Sequence, residues 1–242
     1  TLLGSGQKLT VDLMGDGLIN YALAGKVLEH VTGVDETAPG SAVKNSGTIH
    51  ADGGQVILQA SAAGDIFSSV VNQSGVIRAR SLTHEDGIVR LDGGDSGQVT
   101  VAGTIDASGP ASGQTGGRVS LLGESVTLTP TARIDVSGAG GGGTALIGGQ
   151  FQGRGTEPTA TTTLVADRAS ISADALTQGT GGTVIVWADG HTQYAGTISA
   201  QGGASGGHGG FVEVSGKQAL DFTGRVDTTA PAGHTGTLLL DP

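Results

Sequence analysis

The chain has 242 residues, of which 46 are glycine and none is cysteine, and only 3 % of its residues are aromatic. A disulfide scaffold needs cysteines and a collagen needs glycine at every third position, so this composition excludes both classes. The net charge is −10 and the basic residues are scattered, which argues against nucleic acid as a partner. The sequence has no long apolar run, which argues against membrane insertion.

The first 44 residues have a less regular pattern than the rest of the chain. Leu9, Val11 and Leu13 alternate with polar residues, as in a β-strand. Residues 18–31 can also be interpreted as an amphipathic helix, but the glycines inside this segment weaken helix formation. We therefore expect strands, and we assign residues 1–44 to the leading, less regular coils of the repeat that follows.

A repeat extends over residues 45–242. It consists of a small residue, any residue, Ile or Val, any residue and a second small residue, as in Gly103-Thr-Ile-Asp-Ala107. The central positions follow one another at intervals of 27–29 residues, except for one interval of 37. These positions are Ile49, Ile77, Ile105, Ile134, Ile171, Ile198 and Val226.

A second pattern, Gly-Gly-x-Val-x-(Leu/Val), lies about half a period after the first and contains Val119, Val184 and Val212. Both patterns are short, alternate apolar with polar residues and favour β-branched side chains, which is typical of β-strands. Strands this short bury an apolar face only when successive repeats stack as the coils of a solenoid.

The sequence therefore predicts an all-β fold, a right-handed parallel β-helix with about 28 residues per coil, because parallel crossovers are almost always right-handed. A coil of that length has a contour of about 90 Å, enough for three short strands and their corners. Glycine suits the corners, where adjacent coils approach closely. The chain length predicts eight or nine coils, and the 37-residue interval predicts one insertion, at about residues 139–163, that protrudes as a loop or short hairpin.

Several glycine-rich segments imitate catalytic motifs. Residues 138–143 match Gly-x-Gly-x-x-Gly, and residues 94–97 and 203–207 resemble the nucleophile segments of serine hydrolases. Each motif needs a following helix or a double barrel, which a 28-residue solenoid repeat does not supply. The six histidines lack the spacing of a zinc site. We predict no catalytic residue, no cofactor-binding residue and no metal ligand.

Asp86, Asp92 and Asp95 are the nearest approach to a calcium-type cluster. Together with Arg90 they are also the nearest counterpart of the carboxylates and basic groups that β-helical polysaccharide lyases or glycosidases gather on one face. The tandem glycine-rich nonapeptide of calcium-binding β-rolls is absent. A polysaccharide-acting enzyme therefore stays as an alternative hypothesis, and calcium binding on this face stays open.

Four aromatic side chains lie in the last third of the chain. They could form a stacking platform for sugars. Alternatively, they could have a structural role, either as an apolar stack inside the final coils or as a covering of one face. Because aromatic residues are so few, we favour the structural interpretation. The four are Trp187, Tyr194, Phe211 and Phe222.

Several segments carry a family resemblance. They are Gly15-Asp-Gly-Leu-Ile-Asn20, residues 45–56 and 70–79, and the closing segments Gly209-Gly-Phe-Val-Glu-Val-Ser-Gly216 and Gly236-Thr-Leu-Leu-Leu-Asp-Pro242. Together they are similar to the filamentous-haemagglutinin-like exoproteins of bacterial two-partner secretion, over essentially the whole chain. The Asn-rich secretion signature of that family is not found here, so we expect the chain to begin downstream of it, in the N-terminal region.

The resemblance implies a β-helical shaft of a large secreted or cell-surface adhesin for cell–cell, host or biofilm-matrix attachment, without catalysis. It further implies an outer-membrane β-barrel secretion partner and an extracellular location. Exopolysaccharide or a host or bacterial surface receptor is then the candidate ligand. The same N-terminal region occurs in contact-dependent toxins and haem-acquisition exoproteins, which stay as alternatives.

Overall fold

The computed structural model describes residues 1–5, 8–13, 19–24, 40–60, 69–82 and 86–242. In this part of the chain the predicted fold class is confirmed, since the strands form a parallel β-solenoid of about seven turns with about 28 residues per coil. Each regular coil contributes one strand to each of three parallel sheets. No helix among the described residues is long and apolar enough to span a membrane.

The three sheets run along the sides of the solenoid. The first sheet contains strands Leu2–Ser5, Gln55–Ala60, Ile88–Asp92, Arg118–Leu122, Thr144–Ile147, Thr183–Ala188, Phe211–Gly216 and Thr237–Asp241. The second contains Ser41–Asn45, Ser69–Gln73, Gln98–Val101, Ser125–Leu128, Thr162–Val165, His191–Tyr194 and Ala219–Phe222. The third contains Thr48–His50, Val76–Arg78, Thr104–Asp106, Arg133–Asp135, Ser170–Ser172, Thr197–Ser199 and Arg225–Asp227.

The isoleucine repeat forms the inner face of the third sheet. Each central residue pairs directly with its counterpart in the next coil, so the period found in the sequence is the stacking period of the structure. Fully burying such a side chain contributes about 1.5–3 kcal/mol. At most 1 % of the surface is exposed at Ile77, Ile105, Ile134, Ile171 and Ile198.

The second glycine of the Gly-Gly-x-Val pattern lies where the chain turns from the third sheet into the first. A Cβ on Gly182 would lie 2.2 Å from the carbonyl oxygen of Gly143 in the preceding coil. Likewise, a Cβ on Gly210 would lie 2.1 Å from the carbonyl oxygen of Gly182. The Gly182 N–H donates to the Ala173 carbonyl at 2.6 Å, and its carbonyl accepts from Phe211 N–H at 3.0 Å. The predicted role of glycine in the close approach of coils is confirmed at this corner.

The expectation of eight or nine coils is wrong, because dividing the length by 28 counts residues that build no coil. Within residues 1–44, Leu2–Ser5 joins the first sheet and Ser41–Asn45 the second. Lys8–Leu13 and Ile19–Ala24 instead pair antiparallel with each other. Residues 18–31 could also be interpreted as a helix from the sequence. Within this segment, residues 19–24 form a strand, and residues 18 and 25–31 lie outside the described residues.

The extra residues of the 37-residue interval occupy positions 148–161, which we call the side loop. It connects strand Thr144–Ile147 of the first sheet to strand Thr162–Val165 of the second and contains a 3₁₀ turn at Phe151–Gly153. The expected insertion at 139–163 therefore includes the regular strand Thr144–Ile147. Glycine-rich segments flank this strand, so the sequence pattern does not reveal it. The side loop also does not protrude, since it folds back on the outer face of the first sheet.

Candidate ligand groove on the first sheet

The outer face of the first sheet carries side chains in straight rows. The valines of the Gly-Gly-x-Val pattern point into the solenoid, so the residues on either side of them point outwards. The strand register places Arg118, Thr144, Thr183 and Phe211 in one outward row. Three inter-strand steps of about 4.8 Å make this row about 14 Å long. We call it the outer row.

The side loop covers apolar side chains of the outer face beside the outer row. Leu146, Ile185 and Trp187 lie outside the solenoid, yet only 4 %, 2 % and 6 % of their surfaces are exposed. Gly153, with φ of 62°, packs directly on the indole ring, because a Cβ there would lie 2.6 Å from two atoms of Trp187. The loop and the sheet therefore share a small apolar core outside the solenoid.

An ion pair fastens the side loop to the sheet at Glu157. Arg90 donates to the Glu157 carboxylate at 2.7 Å and to the Asp92 carboxylate at 2.9 Å. Burial alone would lower the pKa of Arg90, but the hydrogen bonds to Glu157 and Asp92 outweigh burial and raise it. Asp92 also accepts the N–H of Gly94 at 2.9 Å. Arg90 and Asp92, which the enzyme hypothesis needs for chemistry, are engaged in holding the loop.

The remaining residues of that hypothesis lie apart. Asp86 precedes strand Ile88–Asp92 and Asp92 ends it, a separation of roughly 20 Å along an extended chain. Asp86 accepts a hydrogen bond from Thr115 Oγ1 at 3.4 Å, whereas Asp95 is exposed. In the described part of the chain, no three potential metal-ligating side chains come together. The structure thus does not assemble a cluster from Asp86, Asp92 and Asp95.

Two further carboxylates hold the side loop. Gln152 has a left-handed φ of 52°, and its N–H donates to both oxygens of Glu213, at 3.2 and 3.1 Å. Burial raises the pKa of Glu213, and this hydrogen bond offsets only part of that rise. Asp189 accepts from Thr159 Oγ1 at 2.6 Å and from Trp187 Nε1 at 3.1 Å. These contacts offset the cost of the strained backbone at Gln152.

The structural interpretation of the aromatic residues is confirmed for Tyr194, Phe222 and Trp187, whereas Phe211 is only half-buried. Tyr194 and Phe222 stack inside the solenoid with ring centroids 5.5 Å apart, and Tyr194 is fully buried. Trp187 lies under the side loop, and Phe211 makes an edge contact with Phe151 at 5.6 Å. Phe151, which is 46 % exposed, could not be recognised from the sequence, because only the side loop brings it to the sheet.

An open groove of about 400 Å³ lies between the side loop and the outer row. Its lining contains two guanidinium groups and no carboxylate, on a chain whose net charge is −10. Among the described residues, neither Arg118 nor Arg154 has an ion-pair partner. The lining includes Arg118, Thr183, Phe211, Phe151 and Arg154.

A second groove of about 400 Å³ lies on the other side of Phe211. It contains His208 and His234, whose rings stack at 5.1 Å, with the His234 N–H donating to His208 Nδ1 at 3.0 Å. The rest of its lining is threonine and glycine besides Phe211. Two imidazoles therefore meet here without a third potential metal ligand among the described residues.

Three in-register parallel sheets closed by glycine corners define this protein as a β-solenoid. No family profile and no curated protein matches the sequence. Among solved structures, the chain is similar to the crystal structure of the HMW1 secretion domain from Haemophilus influenzae, with a TM-score of 0.69 and 28 % identity. The match covers 99 % of this chain and 57 % of that one, so the chain spans less than two thirds of the matched structure. The resemblance to two-partner secretion exoproteins is thereby confirmed.

Proposed function

We propose that this chain is a β-helical segment of a large bacterial adhesin that leaves the cell through an outer-membrane β-barrel partner. The supporting observation is the likeness to a secretion domain over 99 % of the chain at 28 % identity. The absence of cysteine fits this route, since no disulfide can form before export and block passage through a narrow pore.

The role after export is that of a non-catalytic shaft, secreted or on the cell surface, for attachment to other cells, a host or a biofilm matrix. The stacked coils support this role, because each coil is held by its neighbours and the assembly is extended in one direction. Contact-dependent toxins and haem-acquisition exoproteins would use the same shaft. Of the residues that the polysaccharide-enzyme alternative needs, Arg90 and Asp92 pair with each other and hold the side loop. They form no cluster with Asp86 and Asp95 among the described residues, so no observation favours that alternative.

The export proposal is tested by producing the chain behind a periplasmic signal peptide and the Asn-rich secretion signature of a two-partner exoprotein, with and without the outer-membrane transporter of that exoprotein. We expect the chain in the medium only when the transporter is present. Equal amounts in the medium without the transporter, or complete retention in the periplasm with it, would contradict the proposal. The adhesive role is tested separately, by counting cells that attach to beads coated with the purified chain and to uncoated beads.

A further inference from the structure

We propose that the groove between the side loop and the outer row binds a short acidic oligosaccharide. In this complex, Arg118 and Arg154 pair with carboxylates of the sugar, and Phe211 and Phe151 contact the apolar faces of its rings. The proposal names a site and a ligand class on the shaft itself. It depends on the groove alone and does not require the export route.

Charge favours an anionic ligand. The two guanidinium groups in the groove have no ion-pair partner among the described residues, whereas Arg78, Arg80 and Arg90 each pair with a carboxylate. A guanidinium group binds a carboxylate through two parallel hydrogen bonds, and such charge-assisted bonds are among the stronger ones in proteins. A groove with two free guanidinium groups and no lining carboxylate therefore selects anions on an otherwise acidic molecule.

The outer row favours a sugar chain over a simple anion. Between Arg118 and Phe211 the row presents the hydroxyl groups of Thr144 and Thr183, and neither hydroxyl has a hydrogen-bond partner among the described residues. The outer row therefore presents a guanidinium group, then two hydroxyl groups, then an aromatic ring, over a length of about 14 Å. An extended chain of sugar rings offers carboxylates, hydroxyls and apolar ring faces with the same kind of spacing.

The loop side of the groove is fixed in place before any ligand binds. Phe151 begins the 3₁₀ turn that the Glu213 carboxylate and the Trp187 indole hold against the sheet, and Arg154 follows it. The Arg90–Glu157 ion pair anchors the same loop further along the chain. A preorganised site loses less free energy to ordering on binding. The groove is also open to solvent, so a hexasaccharide can extend beyond it.

The test is isothermal titration of the purified chain with hexamers of galacturonic acid and of hyaluronan, with maltohexaose as a neutral sugar and citrate as a simple anion. We expect at least one acidic hexamer to bind saturably with one site per chain, at least about tenfold more tightly than maltohexaose or citrate. A tenfold ratio corresponds to about 1.4 kcal/mol, close to the lower limit of what one charge-assisted hydrogen bond contributes.

Variants locate the site. Arg118→Gln and Phe151→Ala should each weaken binding by about tenfold or more while the circular dichroism spectrum stays that of the parent. Arg225→Gln is the matched control, since Arg225 is an exposed arginine on the third sheet with no ion pair among the described residues, and should leave the affinity unchanged.

Three results would overturn the proposal. The first is that neither acidic hexamer binds saturably. The second is that citrate binds as tightly as the hexamers, which would make the groove a simple anion site. The third is that Arg118→Gln and Arg154→Gln leave the affinity unchanged. None of these results depends on the transporter, so failure here and failure of export are distinguishable.

Discussion

Substituting Gly182 by alanine tests the close approach of coils at the corner between the third and first sheets. The added Cβ would lie 2.2 Å from the Gly143 carbonyl oxygen, which also accepts the N–H of Thr183 at 2.9 Å. The carbon–oxygen distance must grow by about 1 Å to reach ordinary contact, and that movement breaks the hydrogen bond. Overpacking costs about 1–3 kcal/mol and the lost bond about 1 kcal/mol, so we expect a loss of about 2–4 kcal/mol.

Urea unfolding followed by the fluorescence of Trp187 measures this loss, because the indole is buried on the strand that Gly182 precedes. Gly47→Ala is the matched control. A Cβ on Gly47 has no neighbour closer than 4.0 Å, and its φ is not left-handed, so the free energy of unfolding should change by less than about 0.5 kcal/mol. Equal effects of the two substitutions, or a Gly182→Ala effect below about 0.5 kcal/mol, would refute the argument from coil spacing.

Three other substitutions test the core and the side loop. Tyr194→Phe removes a buried hydroxyl without a partner among the described residues, so the free energy of unfolding should stay equal or rise by up to about 1 kcal/mol; a clear loss would contradict this. Burial, aided by the nearby Asp241, raises the pKa of Glu213 above its ordinary 4.5, so its ionisation destabilises the fold as pH rises through the folded pKa. Glu213→Gln should therefore match the parent in melting temperature near pH 4 and exceed it near pH 7, and equal melting temperatures at both pH values would contradict the assignment. Arg90→Gln breaks the ion pair with Glu157 and should speed trypsin cleavage after Arg154 several-fold with unchanged circular dichroism, whereas Arg225→Gln should not; an unchanged rate would show that this ion pair does not hold the loop.

Most of the fold could be predicted from the sequence because each coil repeats the same local requirements. Ile105 and Ile134 must point inwards from equivalent strands, and Gly182 must occupy a corner that admits no side chain. Each requirement returns once per coil, about every 28 residues, so the repeat is visible in a single sequence. The antiparallel pair within residues 8–24 breaks the repeat, so the period could not reveal it.

The groove could not be predicted in the same way. Arg118 and Phe211 are 93 positions apart in sequence and come to lie on one row only through the register of four strands. Phe151 and Arg154 lie in an insertion whose course depends on Trp187 and Glu213 from later coils. A non-repeating loop carries no periodic signal, so its contacts depend on tertiary packing alone.

The glycine corners and the outer row both depend on the register of adjacent coils. The chain has no cysteine, so introduced pairs report on distance without interference. Ser172 and Ser199 are direct partners in the third sheet, about 4.8 Å apart, whereas Ser170 lies two residues from that position and is about 8 Å from Ser199. Under mild oxidation, Ser172→Cys with Ser199→Cys should form an intramolecular disulfide much faster than Ser170→Cys with Ser199→Cys. Equal rates, or faster bridging of the second pair, would contradict the parallel in-register stacking of coils.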